Sequence, residues 1–320
     1  MTTHLTQTTA RPTTAPARDG GLPHTAAQPS DASGRRTLSG VGMMLTSAVS
    51  NQFGAAVGST AFDAIGPIGV VAIRQIVGAA VLMPTVRPPL HRFTRAQWWP
   101  ILLLGVVFVT MNLSLYTAVD RLGLGLAVTL EFLGPLGVAL ASSRRGLDLL
   151  CALAAFGGVW ILVMPGPSSD LIGIGAGLLG AASWASYILL NRTIGRRTQG
   201  LQGAAAATLV AATMTAPVVV IFAVQGRFTP APLIAALVAG LFCSAVPYVL
   251  DLVAIRRVPI PVYSVFMSLS PVIAVLAGLV ILHQVPVAHE WVGVGIIVAV
   301  NAAVTGLRRR PSRRLPLLPG

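Results

Sequence analysis

From Leu38 onward, the chain alternates apolar stretches of about 20 residues with short polar breaks, the spacing that membrane-spanning helices require. Ten such stretches can be recognised, at 38–58, 65–85, 98–118, 122–141, 148–165, 171–191, 203–223, 231–252, 260–282 and 290–307. Soluble helices of this length keep a polar face, and the strands of a membrane barrel alternate polar with apolar residues. Because the stretches show neither pattern, the predicted fold class is an all-α polytopic membrane protein with ten transmembrane helices.

The composition excludes most soluble enzymes. Hydrophobic residues make up 54% of the 320 residues and charged residues only 10%, whereas soluble domains contain about 25% charged residues. A soluble protein of this size would lack the polar surface that it needs. Residues 1–37 are different, since they are rich in Thr, Ala, Pro and Ser and contain no apolar run of signal-peptide length. They are predicted to form a disordered tail, with a transit peptide as the alternative.

The net charge of +13 comes from arginine, because the chain contains no lysine. A basic excess can indicate nucleic-acid binding, but here the positions of the arginines indicate topology. With the N-terminus in the cytoplasm, 19 of the 22 arginines fall in cytoplasmic segments, Arg121 and Arg227 fall outside, and Arg74 lies within a helix. The positive-inside rule therefore predicts ten helices in the inner cell membrane with both termini cytoplasmic, and no nucleic-acid partner.

The two halves of the chain resemble one another. A shift of 136 residues places Arg121 on Arg257 and Pro135 on Pro271. Each copy contains five helices, an odd number, so the second copy must enter the membrane inverted. The predicted organisation is a cytoplasmic tail (1–37), two inverted five-helix repeats (38–165 and 171–307) and a basic cytoplasmic tail (308–320). Inverted repeats are typical of alternating-access transporters, whose site lies between the copies.

Charged side chains within the bilayer are costly and therefore indicate function. Arg74 and Glu131 lie at similar depths, about 12 Å and about 13.5 Å from the outer ends of their helices. Together they could bind the carboxylate and the ammonium of a zwitterionic substrate. Alternatively, they pair with each other and hold two helices together, or Glu131 transfers protons. Asp251 is either part of an interfacial ion pair with Arg256 or Arg257, or a cytoplasmic gate or proton site.

Further polar groups and two prolines lie within the apolar stretches. The polar candidates for the substrate cavity are Asn51, Gln52, Asn112, Tyr116, Tyr187 and Tyr248. Each either forms a hydrogen bond between helices or lines the cavity. Pro135 and Pro271 each remove a backbone hydrogen bond, which predicts bends along the substrate path or kinks that serve packing.

No motif for enzyme chemistry is recognisable in the sequence. The chain lacks HExxH, CxxC, a glycine-rich phosphate loop and paired-carboxylate motifs. Cys151 and Cys243 lie in apolar stretches and are interpreted as small packing residues. The sequence thus predicts neither an enzyme nor a cofactor or metal site.

Three segments carry a resemblance to a known family: MNLSLYTAVDRLGLGLAVTLEFLGPLGVALASSRR (111–145), GAASWASYIL (180–189) and VPYVLDLVAIRRVP (246–259). They resemble the threonine/homoserine exporter family within the EamA-type drug/metabolite transporters. The resemblance, over about residues 38–307, implies a ten-helix fold of two inverted halves that exports amino acids or related metabolites with proton coupling. It places Glu131 at the LEFxGP glutamate and Asp251 at the PYxLE acid. The chain departs from the family at Ser270 and at His283-Gln284, where acidic residues are frequent, which puts proton coupling through the second half in question.

These observations predict a secondary transporter that exports a small amino-acid-like metabolite by alternating access. Its predicted partners are a small-molecule substrate and the lipid bilayer, with protons as a further candidate. Efflux of drugs or other metabolites on the same fold is the first alternative, and a passive channel or an intramembrane enzyme are the remote ones. The oligomeric state, monomer or dimer, stays open.

Overall fold

All secondary structure in the described part of the chain is helical, which confirms the predicted all-α class. The computed structural model describes residues 30–141, 146–163, 170–247, 250 and 269–307. The helices are α1 (Ser30–Ser59), α2 (Phe62–Val86), α3 (Arg95–Leu122), α4 (Leu124–Glu131), α5 (Leu133–Ala141), α6 (Gly146–Val163), α7 (Leu171–Gly195), α8 (Gln202–Val224), α9 (Pro230–Gly240), α10 (Ser270–Ile281) and α11 (Ala288–Leu307). A 3₁₀ turn (Leu90–Arg92) precedes α3, and a π-helical turn (Leu241–Ala245) continues α9.

Each of the ten predicted stretches coincides, in whole or in part, with one of these helices or with a consecutive pair. Five segments are long and apolar enough to cross a membrane, namely Phe62–Val86, Arg95–Leu122, Leu124–Ala141, Leu171–Gly195 and Gln202–Val224. Shorter apolar helical segments occur at Leu150–Leu162, Pro230–Ala245, Ser270–Ile281 and Ala288–Val304. The fold is thus that of a multi-pass membrane protein.

Two helix boundaries differ from the predicted ones. Helix α1 begins at Ser30, inside the segment predicted as a tail, because Pro29 is followed by Ser and Asp, which favour the first turn of a helix. The fourth stretch, predicted as one helix, is interrupted at Phe132 between α4 and α5. Pro135 explains the interruption, since it has no N–H to donate to the Glu131 carbonyl four residues earlier.

Local signals define several other helix ends. Helix α2 is kinked at Gly66, which has φ +64°, and Pro67 follows as a favourable first residue for the continuous helix. Helix α3 starts with a capping box, in which Thr94 N–H donates to Gln97 Oε1 at 2.9 Å. It ends at Gly123, whose φ of +87° lets a single residue link α3 to α4.

The helices pack in a pattern that is the same for both halves. Helix α3 contacts α7 and α8, and its counterpart α9 contacts α1 and α2. Helices α4 and α5 contact α7, and their counterpart α10 contacts α1. The pairs α2–α8, α4–α10 and α6–α11 are each made of counterparts. This exchange of neighbours is what two inverted five-helix repeats require.

The bundle has two ends that differ in charge. The arginine-rich end contains the loops and helix ends with Arg87, Arg92, Arg95, Arg192, Arg196 and Arg197. The arginine-poor end contains the α3–α4 link, the α8–α9 loop and the α10–α11 loop, with Arg121 and Arg227. The largest buried apolar cluster, which includes Val70, Tyr116, Leu124 and Ala239, joins α1, α2, α3, α4 and α9. The buried charged and polar groups described next adjoin this cluster.

Candidate functional site

Arg74 of α2, Tyr116 of α3 and Cys243 of the π-helical turn form a contiguous polar cluster inside the bundle. Arg74 Nη1 donates a hydrogen bond to Tyr116 Oη at 3.4 Å, and the guanidinium carbon lies 5.6 Å from the centre of the tyrosine ring. Tyr116 Oη lies 3.9 Å from Cys243 Sγ. The thiol in turn donates to the backbone carbonyl of Asn51 on α1 at 3.1 Å. Four helical segments therefore meet at this cluster.

The π-helical turn is fixed against α1. Ser50 Oγ donates to the Phe242 carbonyl at 2.8 Å. Gly54 allows the approach, because a Cβ at this position would lie 2.7 Å from Cys243 Sγ. On the other side of the cluster, the Phe62 ring meets the Tyr116 ring edge-on, with centres 5.5 Å apart. Tyr116 is completely buried, so the position of its hydroxyl beside Arg74 is set by packing from several helices.

Glu131 is buried at the end of α4, where the helix is interrupted. Its side chain faces α7, because a Cβ on Gly180 would lie 3.7 Å from Glu131 Cγ. Among the described residues, no hydrogen bond and no salt bridge engages its carboxylate. A buried carboxylate without a partner is energetically unfavourable, which marks Glu131 as a candidate binding group.

Arg74 and Glu131 do not form a salt bridge with each other. The Arg74 guanidinium donates a hydrogen bond to Tyr116 instead. Direct pairing, one of the alternatives that the sequence left open, is therefore absent between these two side chains. The arrangement leaves both charges available to a ligand.

The remaining predicted residues occupy several places. Asn112 is buried, and its Nδ2 donates to the Phe108 carbonyl of its own helix at 2.7 Å. Tyr187 of α7 stacks at a tilt on Phe108, with ring centres 5.7 Å apart. Gln52 is buried on α1, next to the half-buried Asn51.

Pro271, Tyr248 and Asp251 complete the set of predicted residues. Pro271 lies in the first turn of α10, a position that suits proline because no intrahelical donor is lost there. Tyr248 and Asp251 lie outside the described residues.

Three residues of interest were not among the predicted site residues. Cys243 was interpreted as a packing residue, and its contacts depend on the π-helical turn. Gln75 is a buried amide beside Arg74, and a search for polar residues in apolar stretches could have found it, as it found Gln52. Gln284 was noted only as a departure from the family pattern. Its Oε1 accepts a hydrogen bond from the Leu124 N–H at 2.9 Å.

A cavity of about 320 Å³ opens at the arginine-poor end. Its wall is formed by Asp120, Arg121, Leu122, Gly123, Gly125, Leu126, Val275, Gly278, Gln284, Val285, Pro286 and Glu290. Arg74 and Glu131 are not part of this wall. Glu131 lies five residues beyond Leu126 along α4, which corresponds to about 7.5 Å. The wall of the cavity thus ends about one and a half helical turns along α4 from the buried carboxylate.

An ion pair lies beside this cavity. Arg121 Nη1 is 3.0 Å from Asp170 Oδ2, and Asp170 also caps α7 by accepting the Gly173 N–H at 2.8 Å. The pKa of Asp170 is lowered from its ordinary value of 3.8, first by the Gly173 hydrogen bond and then by Arg121. The carboxylate is therefore ionised at neutral pH and joins α3 to the start of α7.

Comparisons with known proteins agree with this architecture. Residues 171–305 match the EamA-like transporter family. The chain is 31% identical over 274 residues to the threonine/homoserine exporter RhtA of Escherichia coli K12, covering 85% of this chain and 92% of that protein. The same identity over 273 residues relates it to RhtA of Salmonella typhimurium SL1344, covering 84% and 92%.

More distant matches extend the comparison. The uncharacterized transporter YwfM of Bacillus subtilis is 21% identical over 254 residues, covering 76% of this chain and 86% of that protein. A crystal structure matches with a TM-score of 0.55 and 19% identity, covering 87% of this chain and 98% of the other chain. At this identity, the structural match supports the fold alone.

Proposed function

This chain belongs to the EamA-like transporter family, and from that premise we propose that it exports small amino-acid-like metabolites of the threonine/homoserine type by alternating access. The family and the relatives make it a membrane transporter. The substrate class comes from the RhtA exporters, which are its relatives at 31% identity. Proton coupling and the direction of transport are part of the same proposal.

The observation that carries the proposal is the separation of two opposite charges inside the bundle. Arg74 offers guanidinium N–H groups beyond the one that meets Tyr116, and Glu131 offers a carboxylate that no described group engages. Burying unpaired charges in a membrane is costly, so they are retained where a ligand neutralises them. An amino acid brings a carboxylate for Arg74 and an ammonium for Glu131.

The remaining features provide a path for this substrate. By the positive-inside rule, the arginine-rich end faces the cytoplasm and the arginine-poor end faces outward. The cavity of about 320 Å³ then serves as the exit on the outer side. The interruption at Phe132, next to Glu131, gives α4 and α5 a hinge at the site itself, as in transporters whose sites are built from discontinuous helices.

Transport by purified protein in proteoliposomes tests the proposal. Arg74→Gln is expected to abolish saturable homoserine counterflow, and Glu131→Gln is expected to abolish pH-driven flux. Arg92→Gln and Asp63→Asn remove the same charges at exposed positions and serve as matched controls with unchanged flux. Wild-type flux in either buried-charge variant would contradict the roles assigned here.

A substrate panel separates this proposal from efflux of other compounds. Counterflow that is driven by homoserine and threonine but not by hydrophobic cations supports the amino-acid class. The reverse result would favour drug efflux on the same fold. Flux that does not saturate and shows no counterflow would indicate a channel.

A further inference from the structure

We infer that Gln75 recognises a side-chain hydroxyl of the transported amino acid, an inference that rests on the proposed transport function. Gln75 directly follows Arg74 on α2. It would act as a specificity-determining residue that separates hydroxylated amino acids from analogues of the same shape without the hydroxyl.

The first observation is an unused hydrogen-bond donor. Gln75 is 5% exposed, and its amide nitrogen Nε2 is buried without an acceptor in the described part of the chain. An unsatisfied buried polar group costs about 1–3 kcal/mol, and most such groups in folded proteins have partners. An amide donor without a partner therefore calls for an oxygen atom that no described residue supplies.

The second observation is the position of this donor relative to the charged site. Successive helix residues differ in direction by about 100°, so Gly78, four residues after Arg74, points between Arg74 and Gln75. This face meets the π-helical turn, because a Cβ on Gly78 would lie 3.6 Å from Ser244 Oγ. The same turn holds Cys243 beside Tyr116. By helix geometry, Arg74 and Gln75 therefore flank this face of α2, one on either side of Gly78.

Two threonine hydroxyls of α8, the helix that packs against α2, already donate to carbonyls of their own helix. Thr208 Oγ1 donates to the Ala204 carbonyl at 3.0 Å, and Thr215 Oγ1 donates to the Ala211 carbonyl at 2.9 Å. By contrast, no hydrogen bond engages the Ser244 hydroxyl among the described residues. Among the described uncharged side chains, the Gln75 amide and the Ser244 hydroxyl are therefore two that have no hydrogen-bond partner.

These two groups match the chemistry of a substrate hydroxyl. A hydroxyl can accept from the Gln75 amide and donate to Ser244 Oγ at the same time. A substrate with a carboxylate in its side chain fits less well, because this second carboxylate would need another cation and Arg74 is already assigned to the α-carboxylate. A site that hydrogen-bonds a substrate hydroxyl discriminates strongly against an analogue that lacks it, because the analogue leaves the buried polar groups unpaired.

The test compares homoserine with 2-aminobutyrate, which lacks the hydroxyl, in wild-type protein and in Gln75→Met. The ratio of kcat/KM for the two substrates is expected to fall tenfold or more in Gln75→Met, by an effect of about the size seen for unpaired buried groups. The same variant is expected to raise the melting temperature of the substrate-free transporter, because an apolar side chain of similar shape replaces an unpaired amide. Thr208→Val removes a hydroxyl already bonded to its own helix and should leave the ratio unchanged.

The outcomes are distinguishable. An unchanged ratio of kcat/KM for homoserine and 2-aminobutyrate in Gln75→Met would overturn the inference. A lower melting temperature together with an equal loss of kcat/KM for both substrates would also overturn it, because the Gln75 amide would then have a structural role. If the wild type transports neither compound, the proposed function fails and the inference with it.

Gly78→Ala is a second variant, because its Cβ would be in ordinary contact with Thr208 Cγ2 at 3.4 Å. It narrows the region beside Gln75 without overlap and should also lower the ratio, and an unchanged ratio would count against the inference.

Discussion

Gln284 accepts a hydrogen bond from the Leu124 N–H at 2.9 Å, so a side chain from the second half of the protein caps a helix of the first half. Gly123 and Gly278 leave room for this side chain, since a Cβ on either glycine would lie 3.0 Å from Gln284 Oε1. The contact lies in the wall of the cavity at the arginine-poor end. It therefore ties the two halves together at the proposed exit.

The effect of replacing Gln284 on stability should depend on whether the new side chain can still accept the hydrogen bond from the Leu124 N–H. Gln284→Leu leaves the Leu124 N–H without its cap and should lower the free energy of unfolding by about 1 kcal/mol. Gln284→Glu keeps an acceptor and adds negative charge at a helix N-terminus, which is favourable. Thermal unfolding in detergent measures both variants. Equal stability of the two would show that the hydrogen bond does not contribute.

Gly134 should be far more sensitive to substitution than Gly137. A Cβ at Gly134 would overlap the Ala181 carbonyl oxygen of α7, whereas nothing lies within 4 Å of a Cβ at Gly137. Gly134→Ala should therefore destabilise the protein by roughly 1–3 kcal/mol through overpacking. Gly137→Ala is the matched control and should be neutral or slightly stabilising, because alanine favours helix. Unfolding of the two variants in the same detergent gives the comparison.

Pro135→Ala should join α4 and α5 into one continuous helix. The alanine N–H can donate to the Glu131 carbonyl, and the clash of the proline ring is removed, together worth up to about 3 kcal/mol in a helix interior. We expect higher thermal stability and slower counterflow, because a straight helix loses the hinge beside Glu131. Counterflow at the wild-type rate in a stabilised variant would show that the interruption has no role in transport.

Asp170 should make stability depend on pH in the acidic range. Because its pKa is lower in the folded protein than its ordinary value of 3.8, its contribution is complete above that value and is lost as the pH falls through the folded pKa. Asp170→Asn keeps a capping side chain but removes the charge. The difference in melting temperature between wild type and this variant should be largest near neutral pH and shrink below about pH 4.

The Arg121→Gln variant separates the two causes of this shift. It removes the ion pair and leaves the hydrogen bond from Gly173 to Asp170 intact. Part of the pH-dependent difference should therefore remain in Arg121→Gln. If the entire difference disappears, the capping hydrogen bond is not the principal cause.

The helices and the two charged residues were predictable from the sequence because each depends on a local property. Hydropathy over about 20 residues identifies a membrane span, and a charge within such a span is visible without any structure, as for Arg74 and Glu131. The inverted arrangement followed from counting five helices in each copy. These predictions need no knowledge of which helices become neighbours.

Other features depend on contacts between distant segments. The π-helical turn that presents Cys243 has the same apolar composition as the helix before it. The interruption lies at Phe132 rather than at Pro135, because the missing hydrogen bond affects the preceding turn. The unpaired state of the Gln75 amide depends on which distant segments pack around it, and a local sequence pattern does not show those.

The length of α1 has a consequence for how the protein sits in its lipid environment. Its 30 residues extend about 45 Å, whereas the hydrocarbon core of a bilayer is about 30 Å thick. The helix must either tilt strongly or project about 15 Å beyond the hydrocarbon. Arg35 and Arg36 belong to its first two turns, so if α1 projects at this end, the backbone of these turns lies beyond the acyl chains, at the level of the phosphate groups.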